Sequence, residues 1–271
     1  MGEVVDDFDD LGKLGQGFSS VDELEEVDIG DRKVPRPTFV SAKLIAGQRQ
    51  KVCALLREFR DCFAWDYTEM PGLSRELVEH RLPIKHGFRP HKQPPRRFNH
   101  DIHDRVKEEV DRLLKANFIR PCRYAEWVSN IVPVEKKNTG KIRICVDFRD
   151  LNRATPKDEY PMPIADELVN QASRNKIISF LDGNTGYNQI FMAEEDVSKA
   201  TFRCPGFVGL FEWVLMTFGL RNVGATYQWA MNLIFHDLLG IILEIYIDDV
   251  VVKLASFNDH VADLRLVLER M

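Results

Sequence analysis

IILEIYIDDVVVKL, residues 241–254, is two aliphatic runs interrupted by Asp248-Asp249. The density of Ile, Leu, Val and Tyr on both sides makes the runs strands and the interruption a tight turn within a buried hairpin. Two adjacent ionised carboxylates repel each other, and burying either one is costly without a counter-charge. The pair is therefore either a solvent-exposed turn, where Asp is common, or a hard-cation site, since magnesium takes one or two carboxylates together with substrate phosphates. KIISFLD, residues 176–182, is a second short strand, ending at Asp182 just before Gly183. If it lies beside the hairpin, three carboxylates converge, as two-metal phosphoryl transfer requires. The alternative is that Asp182 caps the helix that follows.

Working outward, WVSNIVPVEKKNTGKIRICVDFRDLN (127–152) holds two β-rich runs around a turn supplied by Asn138 and Gly140. Residues 198–215 form a hairpin pattern around Cys204-Pro205-Gly206, and 222–239 a helical one. Val52, Leu55, Leu56, Phe59 and Phe63 recur at helical spacing in 48–65, as do Ile102, Val106, Val110, Leu113, Leu114 and Phe118 after a candidate N-cap, Asn99. Short helices are expected near 164–172 and from about 258. LPIKHGFRPHKQPPRR (82–97) carries four Pro and is expected to be an extended arm. The pattern as a whole is α+β, a small sheet with helices packed on it.

The chain's formal charge is −5, which argues weakly against a polyanionic partner, but the charge is uneven. Residues 1–31 hold 11 acidic groups against Lys13 alone, so the rest is net basic, and Arg81 to Arg97 contains six Lys or Arg, two His and no acid. An acidic leader thus conceals a basic body suited to nucleic acid. The arm is either a phosphate-contacting surface or a solvated linker. No secretory signal or membrane-spanning run is present, because the most apolar stretch, 233–252, contains His236, Asp237, Glu244, Asp248 and Asp249. The five Cys form no C-x-x-C pair and read as reduced thiols, and no zinc ligand set is completed.

These blocks together resemble a known family. Tyr246-Ile247-Asp248-Asp249 resembles the Y-x-D-D box of reverse transcriptases, FLDGNTGYNQI their first palm motif, KIRICVDFRDLN their fingers motif, and MTFGLRNVGATYQ the segment under template and incoming nucleotide. With TPKDEYPMP and FRCPGF, the order resembles gypsy-like (metavirus) long-terminal-repeat retrotransposons of the plant type, over residues 38–271. The resemblance implies an α+β right-hand polymerase fingers and palm, with a ferredoxin-like palm sheet and packed helices. The expected organisation is an acidic disordered leader or linker at 1–40, an N-terminal helix and basic Pro-rich arm at 41–98, and truncated fingers and palm at 99–271.

It also implies roles. Asp182, Asp248 and Asp249 become catalytic, metal-binding carboxylates for two Mg2+ ions, with Mn2+ as a substitute. Tyr187 matches the aromatic under the incoming sugar, whose ring clashes with a 2′-hydroxyl; otherwise it is a core Tyr. Lys136 and Arg143 match the triphosphate grips, or else form a solvated hairpin face. Gln228 matches the glutamine near the nucleotide, while Phe218, Gly219, Tyr246, Arg96 and Arg97 fall to template and primer. The implied reaction is RNA-directed DNA polymerisation, with a template-primer and dNTPs as partners, no membrane, and a cytoplasmic (virus-like particle) or nuclear setting. Polyprotein or homo-oligomer contacts are not specified.

Departures exist. Val223 and Gly224 stand in place of an Ala-Pro, although Gly at 224 is usual in the plant branch. Trp229 replaces a common Arg beside Gln228. The resemblance includes no D-[ST]-G protease box before the polymerase part, and no thumb, connection or RNase H after Met271. This keeps a second class open: a catalytically inactive remnant that only binds nucleic acid or a partner. A metal-dependent nuclease would need an activated water, and no His or Lys is placed to supply one.

Overall fold

The computed structural model describes residues 22–31, 34–135, 142–173, 175–182, 186–206, 208–247, 249–254 and 256–271. In chain order the strands are β1 (Leu24–Asp28), β2 (Pro37–Ser41), β3 (Glu79–His80), β4 (Ile119–Pro121), β5 (Ser129–Glu135), β6 (Ile142–Val146), β7 (Ile177–Asp182), β8 (Phe191–Met192), β9 (Thr201–Arg203), β10 (Leu210–Trp213), β11 (Leu243–Tyr246) and β12 (Asp249–Leu254). The helices are α1 (Ala46–Glu58), α2 (His100–Lys115), α3 (Arg149–Ala154), α4 (Ala165–Ser173), α5 (Glu194–Val197), α6 (Val223–Ile234) and α7 (Phe257–Arg270). They fall into two compact units, each discontinuous in sequence: Met1–Phe63 with Pro163–Gly183 and Phe235–Met271, and Ala64–Met162 with Asn184–Ile234. These divisions do not follow the expected boundaries at 40 and 98.

The first unit is built on an antiparallel sheet of order β11-β12-β7. The central strand β12 is buried from Val250 to Lys253, which is why its sequence is an unbroken β-branched run rather than an alternating one. Helix α4 packs against β11, and α7 against β12 and β7, through the buried Leu264, Val267 and Leu268. Helix α1 packs on α7, where Arg265 grips Glu58 through two hydrogen bonds of 2.6 and 2.7 Å and the Cys62 thiol donates to the Leu268 carbonyl at 3.3 Å.

The expectation of a disordered leader fails for its second half. β1 and β2 pair antiparallel, and Ile29 and Val40 bury against Leu56 with Val27, Leu44, Val52 and Phe63 around them. The acidic side chains that suggested disorder have partners: Asp22 pairs with Lys43 at 2.5 Å, Glu25 pairs with Arg49, and the Asp28 carboxylate accepts the Gly30 and Arg36 N–H groups. Residues 1–21 lie outside those described.

The second unit holds a five-stranded sheet of order β4-β10-β9-β5-β6, parallel only between β5 and β9, with α2 packed against β6 and β4. Asn99 occupies the N-cap position of α2 without a side-chain hydrogen bond. The predicted turn between β5 and β6 lies outside the described residues. The Pro-rich arm forms no helix and belongs to no named strand, and a turn interrupts it at His86-Gly87, where the Phe88 N–H donates to the Lys85 carbonyl at 3.2 Å and Gly87 has φ +85°. It is fixed by the Leu82 N–H to Asp196 Oδ2 (2.6 Å), the Lys85 N–H to the Ala154 carbonyl (2.8 Å) and a bridge between Lys92 and Val128.

Candidate active site

In the first unit, β11 and β12 are joined by two residues, Ile247 and Asp248, so that Tyr246 pairs with Asp249. Asp249 therefore opens β12 rather than sharing the turn, which corrects the expectation that both carboxylates sit in it. Two-residue hairpin loops favour positive φ. Ile247 adopts φ +53°, a conformation that costs a β-branched residue about 1–2 kcal/mol. Strain of this kind persists only where surrounding structure enforces it, and the buried strands on either side do so. β7 pairs with β12 in a register that sets Asp182 directly opposite Asp249. Positions opposed across an antiparallel pair lie on one face of the sheet. Asp248 and the Asp182 side chain lie outside the described residues. Oxygen donors at 182, 248 and 249 are the chemistry magnesium or manganese takes. With two of the three positions adjacent across the ladder, these residues fit a hard divalent cation. Among the described side chains, no three His, Cys, Asp or Glu gather into a metal-binding group.

In the second unit, Tyr187 sits on the short 3-10 turn Gly186–Gln189 and is only 6% exposed. Its ring meets Phe218 edge-on at 4.9 Å and Tyr227 edge-on at 5.2 Å. The Arg143 guanidinium on β6 lies 5.7 Å from the Phe218 ring centroid. Three predicted residues, Arg143, Phe218 and Tyr187, are thus brought together, and Tyr227 joins them unforeseen. A small cavity of about 30 Å³ beside them is lined in part by Arg143, Phe218, Asn188 and Trp213. Gly219 has φ +88°, which favours glycine. Its carbonyl accepts from Asn152 Nδ2 at 2.8 Å, while Asn152 Oδ1 accepts the Arg221 N–H at 2.8 Å, so the Phe218-Gly219 loop is tied to α3. Gln228 is buried, with its amide donating to Asn232 Oδ1 at 3.0 Å. Lys136 lies outside the described residues.

The basic arm is buckled down at Gln93, whose amide donates to the Asp147 carbonyl (3.0 Å) and Asp150 Oδ2 (2.8 Å) and whose Oε1 accepts the Asn130 N–H (2.9 Å). Arg96 is engaged with the buried Asp147 at 2.6 Å, beside two hydrogen bonds from Arg149 of 2.8 and 2.7 Å. The Arg149 guanidinium, aided by Arg96, holds the Asp147 carboxyl below the usual carboxylate range. Arg97 is exposed.

The strained carboxylate hairpin, in register with a second acidic strand end, stands in an α+β frame. Residues 134–271 match the family model described as reverse transcriptase (RNA-dependent DNA polymerase), and the chain belongs to that family. Its relatives include the Pol polyprotein of transposon gypsy of Drosophila melanogaster, 35% identical over 62% of this chain and 16% of the polyprotein. The Pol polyprotein of transposon 297 of the same organism is 31% identical over 82% of this chain and 21% of its own length. The Tf2-3 polyprotein of Schizosaccharomyces pombe is 27% identical over 80% and 16%. The chain thus spans about a fifth or less of these polyproteins. Among solved structures, the prototype foamy virus protease-reverse transcriptase shares the fold with a TM-score of 0.73 at 18% identity, covering 84% of this chain and 30% of that one. The foamy viral enzyme in complex with an RNA/DNA hybrid matches at 0.67, with 18% identity and the same coverages. No helix among the described residues is long and apolar enough to cross a membrane.

Proposed function

We propose that this chain catalyses RNA-directed DNA synthesis: the primer 3′-oxygen attacks the α-phosphorus of a dNTP, the bond to the bridging oxygen breaks, and pyrophosphate leaves. The observation that carries this is the register opposing Asp182 and Asp249 at the end of a strained two-residue hairpin. When bound by Asp182, Asp248 and Asp249, two Mg2+ ions supply the Lewis-acid chemistry of in-line phosphoryl transfer, and Mn2+ can replace them. Arg143 and Lys136 bind the triphosphate, Arg143 as a fork and Lys136 as a point charge. Tyr187 lies under the deoxyribose and Gln228 supports the nucleotide. Phe218, Gly219, Tyr246, Arg96 and Arg97 contact the template-primer. Positioning and charge neutralisation account for most of the rate in such reactions.

The test is primer extension by the purified chain on RNA and DNA templates with dNTPs and Mg2+. Incorporation that disappears in Asp248→Asn and Asp182→Asn, with circular dichroism unchanged, is the expected result. Salt-sensitive nucleic-acid binding without extension would replace this reading with a binding-only remnant.

A further inference from the structure

We infer that Tyr227 is a positioning residue for sugar selection: it acts through Tyr187 to enforce a preference for 2′-deoxynucleoside over ribonucleoside triphosphates. The inference rests on the polymerase reading, in which the Tyr187 ring lies under the sugar. A ring excludes a hydroxyl only if the hydroxyl cannot push it aside. Tyr187 makes edge contacts with two rings, Phe218 at 4.9 Å and Tyr227 at 5.2 Å. Both rings stand on fixed backbone. Phe218 precedes Gly219, whose carbonyl is held by Asn152, and Tyr227 is a buried residue of α6 whose neighbour Thr226 is hydrogen-bonded to His80 Nδ1 at 2.9 Å.

Gly186 gives the second, independent mark of the same device. A Cβ at that position would come within 2.7 Å of Tyr227 Oη and 3.0 Å of two of its ring carbons. The Tyr227 ring therefore rests against bare backbone at the residue immediately before Tyr187, where any side chain would displace it. A ribonucleotide entering this site must move Tyr187 and, with it, a ring that rests against the Gly186 backbone. Each aromatic edge contact contributes about 0.5–1.5 kcal/mol beyond its buried area, so loss of one contact relaxes discrimination by about two- to tenfold.

The experiment measures single-nucleotide incorporation of dGTP and GTP and takes the ratio of their kcat/KM values. In Tyr227→Leu the ratio falls by at least twofold, through a gain on GTP relative to dGTP. Tyr227→Phe keeps the ratio, because the ring is retained. Gly186→Ala lowers it, and adding Tyr227→Phe restores part of the loss by removing the oxygen that makes the closest contact. A merely structural role would lower both kcat/KM values together and leave the ratio in place. That result in Tyr227→Leu and Gly186→Ala overturns the inference while the polymerase reading stands. Where extension is slow, the ratio of dissociation constants from competition between the two nucleotides carries the same outcomes. A wild-type chain that neither binds nor incorporates either nucleotide overturns both readings together.

Discussion

Lys253 Nζ lies 2.5 Å from Glu244 Oε1, and both side chains are buried where the two strands of the carboxylate hairpin meet. The Gln171 side chain on α4 approaches the same ammonium at 3.5 Å. A one-residue slip of β12 on β11 would turn every side chain of the strand to the opposite face, and would separate this pair and displace Asp249 from Asp182. Lys253→Met leaves the Glu244 carboxylate buried and unpaired, so chemical denaturation should show a loss of about 3–5 kcal/mol. The double variant Glu244→Leu/Lys253→Met should recover most of that loss, since an apolar pair needs no desolvation to be repaid. Equal losses in the single and double variants would show that the residues do not act as a pair.

His80 is fully buried, with Nδ1 on Thr226 and Nε2 without a partner among the described residues. Burial drives its pKa down to about 4, against the opposing pull of Asp196 and Asp158. An unfolded chain binds this proton near pH 6.5, and the folded chain refuses it until about 4. Stability is therefore complete above pH 6.5 and is lost as pH falls towards 4, by roughly 3 kcal/mol in total. Burial also lowers the pKa of His260, which adds loss in the same direction. Thermal unfolding at pH 7.5 and 5.0 should show a drop in wild type that is smaller in His80→Gln. An identical drop in the variant would remove His80 as a source of the pH dependence.

The strands at 129–146 and 241–254 and the helix at 100–115 were legible because their signals are local: β-branched runs around a turn, or an apolar face repeating every three to four residues. The β1–β2 hairpin was not. Its acidic residues dominate composition, whereas its core, Ile29 and Val40 on Leu56, exists only once α1 is in place. The same divide runs through the candidate site. Asp182 and Asp249 stand out as acids at the ends of buried runs, but their register depends on which strand pairs with which. In sequence, Tyr227 is one position within the helical pattern at 222–239. Its edge contact with Tyr187 and the placement of Gly186 against its ring distinguish it from Ala230 and Met231, which fill the core.

The Arg143 guanidinium lies over the Phe218 ring, 5.7 Å from its centroid, and makes no salt bridge among the described residues. If it binds triphosphate oxygens as a fork, Lys at this position is not conservative, because an ammonium provides a point charge without the planar pair of donors. Arg143→Ala should raise KM for dNTP by about tenfold or more, corresponding to a charge-assisted hydrogen bond of about 1.5–3 kcal/mol. Arg143→Lys should recover only part of this. Steady-state extension at varied dNTP concentration measures both, and an unchanged KM in the Ala variant would remove Arg143 from the nucleotide site.

Arg96 and Arg97 are neighbours in the basic arm, yet their surroundings differ. Both are exposed, but Arg96 is paired with Asp147, a carboxylate it shares with Arg149, whereas Arg97 has no ion pair among the described residues. A cation that neutralises a phosphate releases counterions, and each such contact steepens the dependence of log binding constant on log salt by about one unit. Arg97→Ala should therefore flatten the salt dependence of template-primer binding by about one unit, and Arg96→Ala by less, because its contact with phosphate is made against the pull of Asp147. Asp147→Asn removes that pull and should steepen the slope, at the cost of loosening the arm where Arg96 and Gln93 fasten it. Fluorescence anisotropy titrations across a salt series separate these outcomes. Equal flattening by the two Ala variants would mean that Arg96 leaves Asp147 when nucleic acid binds, and that the ion pair is a resting partner exchanged for a phosphate.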